Sequence, residues 1–211
     1  LFTLTVESGS TGGFPAYGLS FGAAMNATSV IDHTYQFDFY DGGGLDITFV
    51  GLAEMDRQGN VNVSRLANRV PGIGGFFNVT QSADRVVFCG QFTAGDTDIL
   101  VEDGRLVIRK DGDVTKFVEA VEQITFNAGV AIGRGQGVLV VTERAVFRID
   151  ADGPVLVEIA PGVDLERDIL AKMAFRPRIA KDLREMDAEL FQDGTIGLAA
   201  TITASEGRIN E

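Results

Sequence analysis

The segment RVVFCGQF, residues 85–92, is almost wholly apolar and rich in β-branched and aromatic side chains. It lacks the polar alternation of a half-exposed strand, and this predicts a strand covered on both faces. LDITFVGL at 45–52 is predicted to be a second strand. Strands buried on both faces belong to layered sheets, so the chain is constrained to a structure with packing on each side of a sheet.

Turn residues between other apolar segments predict hairpins. Residues 1–6 are predicted to form a short buried strand that ends at Glu7. Gly59-Asn60 is the predicted turn between strands at 45–52 and 61–64, and Asp103-Gly104 is the turn of a hairpin over 98–110. A further hairpin is predicted over 138–149, and Asp152-Gly153 is the turn that leads into VLVEIA.

The pattern changes after Pro161. Apolar residues at helical spacing predict one helix over 164–175, with Asp164 as its N-cap, and another over 179–191. Periodicity ends near residue 192, and residues 198–211 are predicted to be a poorly ordered tail. Strands followed by helices predict an α/β or α+β layered fold, with one domain over 1–197.

Charge and cysteine content narrow the class of partner. Lys and Arg number 18 against 30 Asp and Glu, and the net charge of −12 argues against nucleic acid or an anionic membrane surface. No apolar run approaches the ~18 residues of a membrane span. Cys89 is the only cysteine, which excludes an intrachain disulfide, and a cytoplasmic location is the simplest expectation.

Four glycine-rich loops follow strand-like segments: ESGSTGG (7–13), YDGGGLD (40–46), PGIGGF (71–76) and CGQFTAG (89–95). Glycine lets a backbone approach a ligand closely, and its bare N–H groups can hold an anion. None of the loops has the spacing of a dinucleotide fingerprint or a P-loop, which disfavours nucleotide hydrolysis. Together the loops predict a binding site at strand ends.

Single side chains give weaker signals. On position alone Glu7 is expected to be a cap or a solvated charge, and His33 a polar loop residue. Cys89 lies in an apolar strand, so a buried hydrophobe is favoured over a nucleophile. The acids Asp38, Asp41 and Asp46 carry no paired ligand motif. No metal site is predicted.

Longer motifs carry a resemblance that single residues do not. TVESGSTGGFPAYGLSFGAAMN, QFDFYDGGGLDITFVGLAEMDRQGNVNVS and PGIGGFFNVTQSADRVVFCGQFTAG appear in this order, followed by FVEAVEQITFN, VTERAVFRI, EIAPGVDL and MDAELF. They resemble the carboxyl-terminal, β-type half of family I CoA-transferases, in particular the acetate/propionate group that acts on short-chain acyl-CoAs and 3-ketoacids. The resemblance covers residues 3 to 197.

The resemblance implies a layered, sugar-isomerase-like α/β fold with a mostly parallel central sheet, hairpins and helices on its faces. It places the covalent nucleophile of the family's E-x-G motif on Glu7, with Gly9 completing the motif. The acyl-CoA pocket motif falls on Gly72, Gly74, Gly75 and Phe76. Ser8 stands where relatives often carry Asn, Gln or Pro. Asn60 and Asn62 are further candidate donors to an oxyanion, beside the backbone of 72–75.

The same resemblance implies ping-pong transfer through an acyl-glutamyl anhydride and a glutamyl-CoA thioester. Coenzyme A would be substrate and covalent intermediate, with no permanently bound cofactor. The implied partners are short-chain carboxylates, an α-type half that this sequence does not include, and further copies in a homo-oligomer. Two alternatives stay open: an acyl-CoA hydrolase on the same scaffold and a non-catalytic ligand-binding module.

Overall fold

Short strands and few helices make up the structure, a computed structural model that describes residues 2–67 and 69–197. The strands are β1 (Ser10–Thr11), β2 (Phe14–Pro15), β3 (Ala24–Met25), β4 (Ser29–Val30), β5 (Ile47–Gly51), β6 (Glu54–Asp56), β7 (Val61–Asn62), β8 (Arg85–Cys89), β9 (Thr93–Ala94), β10 (Asp98–Glu102), β11 (Arg105–Lys110), β12 (Val114–Thr115), β13 (Phe117–Val118), β14 (Gly137–Val141), β15 (Ala145–Asp150), β16 (Gly153–Ile159) and β17 (Arg178–Glu185). The α-helices are α1 (His33–Asp41), α2 (Phe76–Gln81) and α3 (Ala128–Gly133).

Six strands form the central sheet in the order β17-β16-β15-β14-β8-β5. The pairs β5–β8, β8–β14 and β16–β17 are parallel, and β14–β15 and β15–β16 are antiparallel hairpin pairs. Val87 of β8 lies opposite Phe49 on one side and Leu139 on the other. The predicted α/β class and mostly parallel sheet are confirmed.

Strand β8 is covered on both faces, as the apolar run predicts. Val86 and Phe88 are fully buried and Val87 nearly so. The Phe88 ring packs 6.0 Å from that of Phe76 and 5.1 Å from that of Phe126, between ring centroids. Burial of such side chains contributes ~1.5–3 kcal/mol each, so β8 anchors the core.

Most predicted hairpin turns are confirmed. Asp103 and Gly104 take positive φ between β10 and β11, and Gly153 does so between β15 and β16. Gly59, with φ +86°, turns the chain before β7, but its strand partner is β6 rather than the predicted 45–52 segment. Asp56 supports this turn because its Oδ1 accepts from the backbone N–H groups of Gln58 and Asn60.

The predicted helix over 179–191 is wrong. Residues 178–185 form β17, an edge strand parallel to β16, with a register shift between Leu156 and Glu158. The apolar residues behind the prediction do not share one buried face, since Ile179 and Leu190 are exposed whereas Leu183 packs on the main core. A single 3₁₀ turn, Ala188–Phe191, follows.

The predicted helix over 164–175 is present only as short turns. A π-helical turn, Leu165–Ile169, precedes a 3₁₀ turn, Leu170–Lys172, and the chain is extended at Met173. Asp164 caps the first turn as predicted, since its side chain accepts from the Arg167 N–H at 2.8 Å. Ile169 and Leu170 are buried in the main core, as expected of the predicted apolar face.

The predicted buried strand over 1–6 is also wrong. Phe2 and Leu4 are exposed, and a single bridge joins Thr5 to Thr11. Residues 198–211, and with them the prediction of a poorly ordered tail, lie outside the described residues.

Candidate active site around Glu7

Glu7 lies at the tip of a small hairpin. The Val6 N–H donates to Ser10 O at 2.8 Å, and the Gly9 N–H returns to Val6 O at 2.9 Å, which closes a tight turn around Glu7 and Ser8. Gly9 has φ +116°, and a Cβ there would overlap the carbonyl oxygen of Ile31. The E-x-G motif therefore requires glycine at position 9 for two reasons, its dihedral angle and its close backbone neighbour.

The Glu7 carboxylate rests against the start of α2. A Cβ added to Gly75 would overlap Glu7 Oε2 and would lie 2.8 Å from Phe37 Cζ. Glycine at 75 thus leaves the space in which the carboxylate sits, between the α2 entry and the Phe37 ring of α1. The structure brings together two of the glycine-rich loops, 7–13 and 71–76.

Glu7 has no side-chain hydrogen bond or ion pair within 2–67 and 69–197, and its side chain is only partly buried. The acids elsewhere in the chain are often engaged: Glu54, Asp56, Asp111 and Glu143 all accept hydrogen bonds. An unpaired carboxylate keeps its lone pairs accessible, which a nucleophile requires.

The 71–76 loop supplies backbone rather than side chains. Gly72 and Gly74 take positive φ and are exposed. Among the described residues, the N–H groups of Gly74 and Gly75 have no hydrogen-bond acceptor, whereas the Phe76 N–H donates to Ile73 O at 3.2 Å. Two free backbone donors close to a carboxylate can receive an oxyanion or a phosphate oxygen.

Phe76 is a core residue in this arrangement. It packs on the main hydrophobic cluster through Phe88. The ring contacts the protein interior. It therefore fixes the first residue of α2 and, with it, the position of Gly75.

Asn60 and Asn62 do not present free amide donors. The Asn60 Nδ2 donates to Asp56 Oδ2 and Gln58 Oε1, and its Oδ1 accepts from the Ala128 N–H. The Asn62 Nδ2 donates to Glu54 Oε1 at 2.7 Å and to the Arg65 carbonyl, and the residue is fully buried. Both amides hold the β6–β7 turn and the loop that follows, so the expectation of a free oxyanion donor at either position is corrected.

Of the other two glycine-rich loops, YDGGGLD begins beside this pair, since Tyr40 donates to Thr5 Oγ1 at 2.8 Å. YDGGGLD ends α1, with Gly42 at its C-cap, and precedes β5, so it adjoins the amino end of that strand. CGQFTAG follows β8, and a Cβ at Gly90 would lie 3.1 Å from the Nζ of buried Lys116. Burial lowers the pKa of Lys116, with Glu143 opposing, and its Nζ donates to Gln91 O at 2.9 Å.

Cys89 is exposed at the end of β8, so the prediction of a buried hydrophobe is wrong. The position is the last residue of the strand, where the covering layers end. Partial desolvation raises the pKa of its thiol, which disfavours the thiolate and with it a nucleophilic role. His33 begins α1 and stacks on Phe37 with 4.6 Å between ring centroids.

The three acids at 38, 41 and 46 do not form a cluster with metal-ligand geometry. Asp41 accepts from Asn78 Nδ2 through both oxygens, at 3.0 and 2.9 Å. Within the described part of the chain, no group of three or more His, Cys, Asp or Glu side chains converges on one point. Helices long and apolar enough to cross a membrane are likewise absent from that part.

Sequence reasoning missed two buried polar features near these elements. Arg144 is fully buried and binds Asp111 through two nitrogens, at 3.0 and 2.9 Å, and Glu143 through Nε. Gln36 is buried on α1 with an unpaired amide nitrogen. Neither carries a motif, and burial of a single polar residue is not visible in periodicity.

Two clefts formed by the described residues do not include Glu7. One of 490 Å³ is lined by 81–85 and 134–137, and one of 340 Å³ by 105–108 with Gly162, Arg167 and Asp168.

Known proteins with similar sequences and structures identify the family of the chain. No protein-family model matches the sequence. The acetate CoA-transferase YdiF of Escherichia coli K12 is 45% identical over 196 residues, 93% of this chain and 37% of that protein. The caffeate CoA-transferase of Acetobacterium woodii is 46% identical over 201 residues, 93% of this chain and 38% of that protein. The chain thus spans less than two fifths of the length of these relatives.

A relative that is named as a β subunit and a solved structure show similarity to the same class of enzyme. The β subunit of the Haemophilus influenzae acetate CoA-transferase is 30% identical over 159 residues, 75% of this chain and 61% of that subunit. The crystal structure of the YdiF apoenzyme from Escherichia coli O157:H7 superposes with a TM-score of 0.86 at 44% identity, covering 92% of this chain and 36% of that one. A YdiF thioester complex with CoA matches to the same extent.

The chain therefore belongs to the family I CoA-transferases and corresponds to their β-type half.

Proposed function

We propose that the chain is the glutamate-bearing half of a short-chain acyl-CoA:carboxylate CoA-transferase, with acetate, propionate or a 3-ketoacid as acceptor. The observation that carries the proposal is the Glu7 carboxylate, unpaired among the described residues and resting against Gly75 beside two free backbone donors. The identity to named CoA-transferases supports the reaction class.

In the proposed reaction, a Glu7 oxygen attacks the thioester carbonyl of the acyl-CoA. The new C–O bond forms as the C–S bond breaks, leaving an acyl-glutamyl anhydride and CoA thiolate. The thiolate then attacks the Glu7 carbonyl, which forms glutamyl-CoA and releases the first acid. An incoming carboxylate reverses both steps and leaves as the new acyl-CoA.

Backbone donors and bound geometry supply the catalysis in this proposal. A carboxylate is a modest nucleophile, so its position relative to the thioester matters most. The N–H groups of Gly74 and Gly75 can bind the oxyanion on the substrate carbonyl, and one such donor contributes ~3–4 kcal/mol. Gly9 and Gly72 shape the backbone on either side, while Phe76, Asn60 and Asn62 hold the surrounding elements in place.

The proposed partner is an α-type half, in the same polypeptide or as a separate subunit. Residues 8–31 contain no charged side chain, in a chain with net charge −12. The same segment exposes seven large apolar residues: Phe14, Tyr17, Leu19, Phe21, Met25, Val30 and Ile31. Depletion of charge with exposed aromatic residues is typical of interface cores.

This segment also adjoins the site, since Ser8 Oγ donates to Gly22 O and Ser8 follows Glu7. A half that covered it would exclude water from the anhydride and thioester. Assembly into a homo-oligomer and a cytoplasmic location stay predictions.

The test uses the complete enzyme, assembled with its α-type half, with propionyl-CoA and isotopically labelled acetate. Transfer gives labelled acetyl-CoA with ping-pong kinetics, and the chain alone should be nearly inactive. Release of free CoA without labelled thioester would instead show a hydrolase. Binding of acyl-CoA with no turnover would show a ligand-binding module, and either result would refute the proposal.

A further inference from the structure

Helix α1 carries a buried amide with no partner. Gln36 is 1% exposed, and its Nε2 is the one buried side-chain nitrogen or oxygen without a hydrogen bond among the described residues. Burying an unpaired amide donor costs stability, so native structures retain few of them. An unpaired donor of this kind indicates a hydrogen-bond acceptor that is present only with a bound ligand or in a reaction intermediate.

Neighbouring contacts place this face of α1 along the Glu7 hairpin. Tyr40, one helical turn after Gln36 on the same face, donates from its hydroxyl to Thr5 Oγ1 at 2.8 Å. Phe37, the next residue, closes the other side of the space that the Glu7 carboxylate occupies at Gly75. Tyr40 thus lies beside Thr5, and Phe37 lies beside Glu7, so α1 runs along residues 5–7. Gln36 lies one helical turn before Tyr40, toward the Glu7 end of this contact.

We propose that Gln36 is a catalytic residue whose Nε2–H donates to the oxygen of the Glu7 carbonyl when that carbonyl is attacked. This inference rests on the proposed function. When CoA thiolate attacks the Glu7 carbon of the anhydride, the C–S bond forms and the carbonyl electron pair moves onto the Glu7 oxygen. Collapse of this intermediate breaks the anhydride C–O bond and expels the carboxylate, with no proton transferred.

The cycle creates oxyanions on two different atoms, and one set of donors does not serve both. The free N–H groups of Gly74 and Gly75 belong to the exposed loop and suit the oxyanion on the substrate carbonyl. The oxyanion on Glu7 itself needs a donor from the protein side. Gln36 is buried on the helix that packs beside residues 5–7, and its donor is unused.

The test compares Gln36→Met with the parent in the complete enzyme, by rapid quench and mass measurement of the peptide that contains Glu7. Methionine has a similar length and no donor. Formation of glutamyl-CoA should slow by ~100-fold or more, with the KM for acyl-CoA little changed. The unfolding midpoint should hold or rise, because the variant removes an unpaired buried donor.

Gln136→Met is the matched control. The Gln136 Nε2 donates to Thr80 O at 2.8 Å, near the carboxyl end of α2, and to the Ala83 carbonyl. This variant should lower the unfolding midpoint and leave the rate of adduct formation in the folded enzyme unchanged.

The outcomes separate this inference from the proposed function. If the parent forms no adduct on Glu7, the proposed function fails, and the inference fails with it. If the parent forms the adduct and Gln36→Met does so at the parent rate, only the role of Gln36 is overturned. A fall in midpoint for Gln36→Met like that of the Gln136 control would assign the amide to the scaffold and overturn the role as well.

Discussion

Glu7 and Arg144 show how differently one chain treats its charges. Arg144 is fully buried, and it donates to Asp111, to Glu143 and to the Asp168 carbonyl. Its guanidinium also lies 5.1 Å from the centre of the Phe92 ring. Glu7 has no partner within the described residues, and a free pair of backbone donors lies nearby. The saturated site serves the fold, and the unsaturated one is where we propose that substrate and partner bind.

The same contrast extends to the surroundings. The Arg144 network joins the loop before β12, the β14–β15 turn and the turn at Leu165–Ile169, all from this chain. The Glu7 hairpin is followed by a charge-free segment with exposed apolar residues, and α1 beside it carries the unpaired amide of Gln36. Stability and function are therefore expected to respond separately to substitutions in the two regions.

Removal of the Arg144 guanidinium should give the largest loss of stability. Arg144→Met leaves Asp111 and Glu143 without their buried partner, and we expect a loss of ~3–5 kcal/mol in the free energy of unfolding. Chemical denaturation measures it. Arg176→Met is the control: Arg176 pairs with Glu166 at 2.9 Å on the surface, and its loss should stay below ~1 kcal/mol. Equal losses of unfolding free energy in the two variants would contradict the structural role given to Arg144.

A methyl group at Gly75 should instead affect catalysis. The Cβ of Gly75→Ala overlaps Glu7 Oε2, so the carboxylate must shift, and a shift of about 1 Å costs ~100-fold in rate. Steady-state transfer in the complete enzyme measures it. Gly133→Ala is the control, because its helical position is open and its φ is ordinary. That variant should gain ~0.5–1 kcal/mol of stability at the parent rate. An active Gly75→Ala enzyme would contradict the geometry.

Acid should weaken the Arg144 region within a defined range of pH. Burial alone would raise the pKa of Asp111, but hydrogen bonds from Arg144 and Thr93 outweigh it and lower the pKa to about 2. A pKa below the ordinary 3.8 means that Asp111 stabilises the fold above pH 4 and loses this contribution as the pH falls toward 2. The contribution is up to about 2 kcal/mol. The stability difference between parent and Asp111→Asn should narrow over that range, and a constant difference would refute it.

How far the sequence predicts the fold depends on the kind of signal. Continuous apolar runs and Asp-Gly or Gly-Asn turns act locally, and β5, β8 and the hairpin over 98–110 are found where they are predicted. The helix predicted over 179–191 fails although its apolar residues have helical spacing, because residues 178–185 pair with β16 instead. Pairing with β16 decides the conformation there, and a distant strand is not visible in a local pattern.

The site shows the same limit. The resemblance names Glu7, Gly9 and the 71–76 loop from motifs, and the structure places Glu7 against Gly75. Asn60 and Asn62 are named for their chemistry, but their amides are occupied by Asp56, Glu54 and backbone groups. Gln36 carries no motif, and its interest comes from burial without a partner, which only coordinates show.

The most direct measurement of the central claim is the mass of the peptide containing Glu7 after incubation of the complete enzyme with acyl-CoA alone. The first half-reaction needs no acceptor, so a glutamyl-CoA adduct should accumulate on Glu7 and disappear when acetate is added. Glu7→Gln, which keeps the shape and removes the anion, should form no adduct, should transfer more slowly by ~10⁴-fold or more and should unfold at the parent midpoint. An adduct on Cys89, or transfer by Glu7→Gln near the parent rate, would contradict the account.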